Sequence, residues 1–535
     1  MAAEPDVTAM SRPPNFLIVM TDQQRRDHMG AYGNRVVQTP HMDAIAAQGL
    51  RATAFHVSNP ICQPNRACLA TGQISTVNGC RQNGIPLSLD STTYADVLRA
   101  AGWRTGLIGK AHFQNVTDIP APPRSPAGTG APPPEAMLRA RRNQRAGPEY
   151  GHEVRMLWAR SPDHALPLPY YGFDHVRLCI GHGDMVEGHY TAWARARCPD
   201  LDRLRGPANA LDAPEARIAQ CWQSALPEEL HPTSYIAEEA VSFLQAQDGD
   251  APFLLQVSFP DPHHPFTAPG RWWGMYDPDD VELPASFHQP LAARNDLPEA
   301  ALRAYRMGDA DPNSHWPFHL PEAQMRRVIA LNYGAISFVD HALGRILAAL
   351  RATGQDDNTV IVFMSDHGDY MGDHGTVLKL GLHYRSLTEV PFLWRDTADR
   401  RAPGLLERQA SAIDFAPTLL QRAGLRVPLG MQGRDVLAPD GGDPPVLIED
   451  PGIAVFGDAD ARSAITTLVH DGWRLSLLED APGWGELYDL REDPDEMVNR
   501  WDDPAAAPAR ARMLEALARR QIDLRDLSLC PTGRA

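Results

Sequence analysis

Cysteine is sparse in this 535-residue chain. There are seven, at 62, 68, 80, 179, 198, 221 and 530, an odd number with no CxxC pair and no zinc-like spacing. A disulfide-stapled or zinc-ribbon scaffold is thereby set aside. Long apolar runs are missing as well: no window reaches the ~18 uninterrupted apolar residues that a membrane helix needs, so no membrane partner is expected. Cationic excess is absent, with 50 Lys+Arg against 67 Asp+Glu and a net charge of −17. That balance argues against nucleic acid as a partner, although a local cationic pocket can still hold an anionic substrate. The stretch Met1-Ala2-Ala3-Glu4-Pro5-Asp6-Val7 lacks the basic region and apolar run of an export signal. A reduced, cytoplasmic enzyme is the expectation. No repeat of solenoid period is present.

What is present is a set of buried-strand signatures, each ending in polar residues. Asn15-Phe16-Leu17-Ile18-Val19-Met20 runs into Thr21-Asp22-Gln23. Arg104 to Gly109 leads to Lys110 and His112, Phe253 to Phe259 leads to Asp261, His263 and His264, and Thr359 to Met364 leads to Ser365-Asp366-His367-Gly368-Asp369. Continuous apolar runs suit strands covered on both faces, and open α/β sheets place their ligands at the carboxyl ends of such strands. Amphipathic stripes predict helices over Tyr235 to Gln247 and Gln324 to Leu350. Helices alternating with buried strands imply an α/β fold with a large, mostly parallel sheet.

The Pro-, Gly- and Ala-rich segment 120–134 reads as an irregular excursion. It belongs to a loop-rich insertion of about 117–231 that includes Tyr170, Tyr171, His182, His189 and Trp193 and is expected to cap the sheet's carboxyl end. After about Pro439 the pattern becomes short strands, with a hairpin at Asp471-Gly472, a third strand over Glu486 to Leu490 and a helix from Ala507 to Arg519. Two units follow: a catalytic α/β part over 1–438 and a smaller antiparallel part with a tail over 439–535.

Two strand ends carry metal-ligand chemistry. Asp22-Gln23 and Asp366-His367 offer carboxylates beside an amide and an imidazole, which suits one divalent cation such as Ca²⁺ or Mn²⁺. Between them in sequence lies Pro60-Ile61-Cys62-Gln63-Pro64-Asn65-Arg66-Ala67. With a helix starting near Gln63, Arg66 sits about one turn beyond Cys62, where its forked donors reach anionic oxygens, and the helix N-terminus favours an anion. Lys110, His112, His263 and Lys379 would complete a cationic pocket.

The pattern Cys62-x-Pro64-x-Arg66 followed by Thr71-Gly72 resembles the maturation motif of the type I sulfatases of the alkaline phosphatase superfamily. Further matches fall in the family's order: Gly109-Lys110-Ala111-His112, Pro262-His263-His264-Pro265, Ser365 to Asp369 with Lys379, Ala412 to Leu420, Gln432-Gly433, and Glu486 to Pro494. The resemblance implies an alkaline-phosphatase-like sandwich with a small C-terminal antiparallel sheet and a helix. It implies that a formylglycine-generating enzyme oxidises Cys62 to formylglycine, whose hydrate attacks a sulfate ester. Asp22, Gln23, Asp366 and His367 would hold the cation together with modified Cys62. Arg66 would orient the nucleophile, and Lys110, Lys379 and Asn83 would bind ester oxygens. His263, with Lys379, would protonate the leaving group, and His112 would take the proton that lets the hemiacetal expel sulfate. Gln23 stands where many arylsulfatases have a second Asp, as in the choline-sulfatase-like and phosphonate-monoester-hydrolase-like branches. The implied activity is arylsulfatase-type hydrolysis of a small sulfate ester, with promiscuity toward phosphonate monoesters and phosphodiesters. A phosphonate monoester hydrolase is the alternative, and a non-catalytic metal-binding relative a remote one. The acidic surface and the tail after Pro504 fit a homo-oligomer, a dimer or a tetramer.

Overall fold

Apolar side chains alternate between the two faces of the first strand, β1 (Asn15–Thr21), and that alternation builds the molecule. Phe16, Ile18 and Met20 enter one core, while Leu17 and Val19 enter another on the opposite face. The computed structural model describes residues 12–526 apart from 120, 122–129, 132–144, 146, 214–219, 292–293, 295, 312–315, 399–401, 440–441 and 455–461. Segment 120–134 therefore lies almost wholly outside the described residues, and Cys530 lies outside them too.

β1 sits near the centre of a nine-stranded sheet. Its other strands are β2 (Leu50–Ala52), β3 (Arg104–Gly109), β4 (His175–Ile180), β5 (Glu187–Gly188), β6 (Phe253–Ser258), β7 (Thr359–Ser365), β8 (Phe392–Arg395) and β9 (Gly404–Leu406), in the order β9-β2-β8-β7-β1-β6-β3-β4-β5. The five strands β7-β1-β6-β3-β4 are parallel, whereas β8 and β5 run antiparallel to their neighbours. Helix α2 (Cys62–Thr71) and helix α5 (Ala412–Arg422) cover the Phe16 face. Helices α1 (Pro40–Gln48), α3 (Pro232–Gln245) and α4 (Glu322–Ala352) cover the Leu17 face, burying Ile45, Ile236, Leu244, Val328, Leu331 and Ile346. This is the large, mostly parallel sheet that the pattern predicts, covered on both faces as in the sandwich that the resemblance implies.

The insertion is more regular than its composition suggests. It supplies β4 and β5 to the main sheet, followed by the helix His189–Arg197. The C-terminal sheet has four strands, not three: β10 (Val446–Ala454), β11 (Arg462–His470), β12 (Trp473–Leu478) and β13 (Gly485–Asp489), all antiparallel, with helix α6 (Ala507–Asp523) against them. Asp471 and Gly472 both take positive φ, 47° and 69°, as a two-residue hairpin with a type I′ turn requires. Among the described residues, no helix is long and apolar enough to cross a membrane.

Parallel register sets the working edge of the sheet. Thr21 pairs with Ser365, Met20 with Ser258, and Gly109 with Ser258. Asp22, Lys110 and Asp366 therefore leave β1, β3 and β7 at one level, with β6 between β1 and β3. Gly109 makes the close approach possible, because at φ 105° a Cβ would lie 1.9 Å from the Ser258 carbonyl oxygen. The Lys110 N–H then donates to that oxygen at 2.9 Å.

One buried carboxyl away from this edge gives a clear pH signature. Asp340 of α4 accepts from the backbone N–H groups of His41 (3.1 Å) and Met42 (2.8 Å) at the start of α1. Burial pushes it up to about 7 even so. A carboxyl raised in the folded state binds its proton more tightly there than in the unfolded chain. The stability it contributes is therefore complete below the ordinary carboxylate range and is lost as pH rises toward about 7. Asp340→Asn is expected to remove this slope, at most about 1.4 kcal/mol per pH unit. Denaturant titrations of parent and variant at pH 5 and pH 8 check it: the gap should move in favour of the variant at pH 8.

Candidate active site

Cys62 is the first residue of α2, and Ile61 before it is extended. Pro64 is tolerated because it lies in the first turn, where its missing N–H costs no helical bond. Gly72, at φ 63°, ends the helix by donating to the Cys68 carbonyl at 2.9 Å. All ten residues of α2 are buried, so its free N–H groups need internal partners. Asn83, itself exposed, accepts from the Gln63 N–H at 3.2 Å. Asn65 accepts from the Ser58 N–H at 2.9 Å.

Around the Cys62 thiol the expected residues converge. Sγ is 3.1 Å from His367 Nε2 and accepts from Lys379 Nζ at 2.9 Å. Burial and Asp22 push this thiol up, but Lys110, Lys379 and His367 outweigh them and bring it down to about 7. Neither Cys68 nor Cys80 has Lys110, Lys379 or His367 beside it, and burial pushes both up, Cys80 despite Arg145; they are packing residues.

One donor atom each from Asp22, Cys62, Asp366 and His367 lies within 4.8 Å of all the others. His367 Nδ1 lies 2.8 Å from the Gly368 carbonyl oxygen, to which it donates, so Nε2 turns its lone pair toward Cys62 and Asp22. Asp22 Oδ1 and Gln23 Oε1 are buried and without a hydrogen-bond partner. Orphaned acceptors of this kind call for an ion or a water. Oxygen-rich donors with one imidazole suit a divalent cation, so the residues fit the group. The Gln23 amide nitrogen is bonded to Asp369 and lies 3.1 Å from His264 Nδ1, which leaves the amide oxygen free.

Arg66 braces this cluster. Its Nε donates to Asp366 Oδ2 at 2.7 Å, and its Nη1 donates to the Lys110 carbonyl and to Ser258 Oγ, each at 2.8 Å. Nη2 alone is unpartnered, 3.6 Å from Asp22 Oδ2, so one nitrogen of the fork remains to meet a ligand. Lys110 Nζ is paired with Asp22 Oδ2. Despite burial, Lys110, His263 and Arg66 hold the Asp22 carboxyl well below its usual range.

Lys379 Nζ also reaches His263 Nε2 at 2.8 Å and His367 Nε2 at 3.1 Å. His263 Nδ1 donates to the His264 carbonyl, so Nε2 is the acceptor from Lys379. His112, at φ 54°, has both ring nitrogens buried without partners. Burial, with Lys110 and Arg66 beside it, holds His112 well below its usual value and therefore neutral. Glu153 accepts from the backbone N–H groups of His112, Phe113 and Gln114 and fixes this loop.

Several contributors carried no signal in the sequence. Asn65, Ser258 and Glu153 are single residues of common types. His182 stood out only as one of the insertion's histidines, yet its Nε2 lies 2.8 Å from Lys110 Nζ.

A family model described as Sulfatase matches residues 14–120 and 191–425. The chain belongs to the sulfatase family. Its place is among the type I sulfatases of the alkaline phosphatase superfamily. The chain is 28% identical to the multifunctional alkaline phosphatase superfamily protein PehA of Trinickia caryophylli over 524 residues, covering 92% of each. It is 25% identical to an arylsulfatase of Clostridium perfringens, covering 91% of this chain and 90% of the relative. The phosphonate monoester hydrolase of Agrobacterium radiobacter superposes with a TM-score of 0.73 at 25% identity, over 96% of this chain and 97% of that one. Sulfatase membership makes this chain a sulfuric ester hydrolase. The family match omits 121–190, so β4 and the loop carrying His182 lie outside it.

Proposed function

We propose that the chain hydrolyses small sulfate monoesters of the aryl type after oxidation of Cys62 to formylglycine, using one divalent cation held by Asp22, Gln23, Asp366, His367 and modified Cys62. The observation that carries this reading is the convergence on Cys62 Sγ: His367 Nε2 at 3.1 Å, Lys379 Nζ at 2.9 Å and the carboxylates of Asp22 and Asp366, all at a buried helix N-terminus. When bound, the cation would act as a Lewis acid that lowers the pKa of an oxygen nucleophile and neutralises charge.

The chain's own residues do the rest. The α2 N-terminus and the free Nη2 of Arg66 hold negative charge at residue 62. Lys110, Lys379 and Asn83 meet charge developing on the non-bridging ester oxygens. The leaving oxygen takes its proton from the Lys379–His263 pair, in which His263 Nε2 accepts from Lys379 Nζ. His112, neutral and unpartnered, accepts the proton released in the second half of the cycle. Residues 439–535 form a smaller unit that closes one side of the catalytic part, and the chain works as a cytoplasmic homo-oligomer.

A second reading, phosphonate monoester hydrolysis, draws on Gln23 and on the 25% identity to the Agrobacterium radiobacter enzyme. A sulfate monoester and a phosphonate monoester are both singly charged tetrahedral anions, so one pocket accepts either. The test compares kcat/KM on an aryl sulfate and on an aryl phosphonate monoester, with sulfate expected to lead. A phosphonate preference of orders of magnitude reverses the assignment.

A further inference from the structure

His182 comes from the part of the chain that the family match omits, and it meets three residues of the proposed machinery at once. Its Nε2 lies 2.8 Å from Lys110 Nζ and 3.6 Å from Asp22 Oδ2. Its ring stacks flat on His263, with centroids 3.6 Å apart and planes 6° from parallel. The side chain is 21% exposed, against 5% or less for Asp22, Lys110 and Lys379, so it forms the outer lip of the buried cluster.

The loop that carries His182 is held in place. Gly181 and Gly183 flank it at φ 101° and 56°, and a Cβ on Gly183 would stand 2.6 Å from Thr267 Oγ1. The Asp184 N–H donates to that same hydroxyl at 2.9 Å. Asp184 Oδ2 in turn accepts from Trp222 Nε1 at 3.1 Å and Ser224 Oγ at 2.8 Å. A histidine fixed this firmly, between two glycines that allow the approach, has a set orientation.

We infer that His182 is a positioning residue: it fixes Lys110 for binding the ester's anionic oxygens and holds the His263 ring in line with the leaving group. Lys110 Nζ has three N–H donors. Asp22 Oδ2 and His182 Nε2 take two of them, which leaves one to point at substrate. On the other side, the His182 ring closes one face of His263 and so fixes the direction of Nε2, the acceptor that sets where Lys379 Nζ presents its proton. The loop carrying His182, which the family match omits, thereby reaches into the reaction centre and sets which leaving groups fit at its lip. This inference rests on the proposed ester hydrolysis.

Two substitutions separate the two contacts. His182→Phe keeps a flat ring on His263 but removes the acceptor for Lys110. His182→Gln keeps an acceptor but removes the ring. The full-length, Ca²⁺-loaded proteins are compared by calorimetric binding of inorganic sulfate, and by kcat and KM on an activated aryl sulfate and an unactivated alkyl sulfate. His182→Phe should weaken sulfate binding and raise KM about tenfold, the loss of one charge-assisted hydrogen bond, with kcat on the aryl ester nearly kept. His182→Gln should bind sulfate within about threefold of the parent and lose kcat selectively on the alkyl ester, whose departure depends on protonation. Unchanged sulfate binding in His182→Phe, no rescue by His182→Gln, or equal losses on both esters overturns the positioning role. Parent protein that binds sulfate but turns over neither ester overturns the proposed hydrolysis instead, and the binding arm still judges His182.

Discussion

Cys62→Ala is expected to abolish steady-state turnover, lowering kcat on the order of 10⁵–10⁶-fold, as loss of a covalent nucleophile does. The side chain is 1% exposed at a helix start, and no other described cysteine shares its cations. Cys62→Ser separates attack from release. A serine hydroxyl at this place can accept the transferred group but has no second hydroxyl through which to expel it. That variant is expected to give no more than one product per active site, a stoichiometric burst without turnover. Mass spectrometry of the peptide spanning Cys62 completes the test: the active parent should be about 18 Da lighter than its thiol form, the covalent change that formylglycine requires. Full activity with an unmodified thiol would sink the proposed chemistry.

Arg66→Ala should produce the largest loss of stability. Arg66 and Asp366 are buried at 2% and 0% exposure and joined at 2.7 Å, with Asp22 Oδ2 only 3.6 Å from the same guanidinium. Removing one partner of a buried ion pair costs about 3–5 kcal/mol, because it strands the other charge. Asp366 is stranded here, while Asp22 keeps Lys110, so a divalent cation that binds between the two carboxylates should recover part of the loss through mass action. Urea unfolding midpoints of parent and variant, in chelator and in excess Ca²⁺, read this directly: the deficit should be largest in chelator and shrink with Ca²⁺. Activity should fall on the order of 10²–10³-fold even with the cation present, the usual effect of deleting one donor to developing charge. Equal midpoints in chelator would show that Arg66 does not brace the cluster.

The strand cores and their polar ends were legible in the sequence because strands buried on both faces read as unbroken apolar runs. Register did the remaining work: once β1, β3, β6 and β7 are parallel, Asp22, Lys110 and Asp366 must meet at one edge. β4 was hidden because its partly exposed His175 and Arg177 interrupt the apolar pattern at the sheet's margin. β10 was hidden by Asp450-Pro451-Gly452, where the pairing shifts register at a bulge between Asp450 and Ile453. Asn65, Ser258 and Glu153 escaped because their work is to hold backbone or guanidinium groups, and that role has no local sequence signature. His182 escaped because contacts made across 72 residues, to Lys110, leave no spacing to read.

With the proposed oxidation of Cys62, the complete burial of α2 would also impose a sequence of events on the newborn chain. Cys62 lies inside the fold, on a helix whose ten residues are all covered, with Asp366, Lys379 and His367 from a segment more than 300 residues later closed over it. A modifying enzyme could grip residues 60–66 only while they are extended, before β7 and its following loop arrive. Under the proposed oxidation of Cys62, oxidation and folding would compete, and chains that fold first would be trapped as thiols. The active fraction of a preparation would thus record how quickly the second half of the sheet was synthesised and closed, a kinetic property of biosynthesis written into a buried helix.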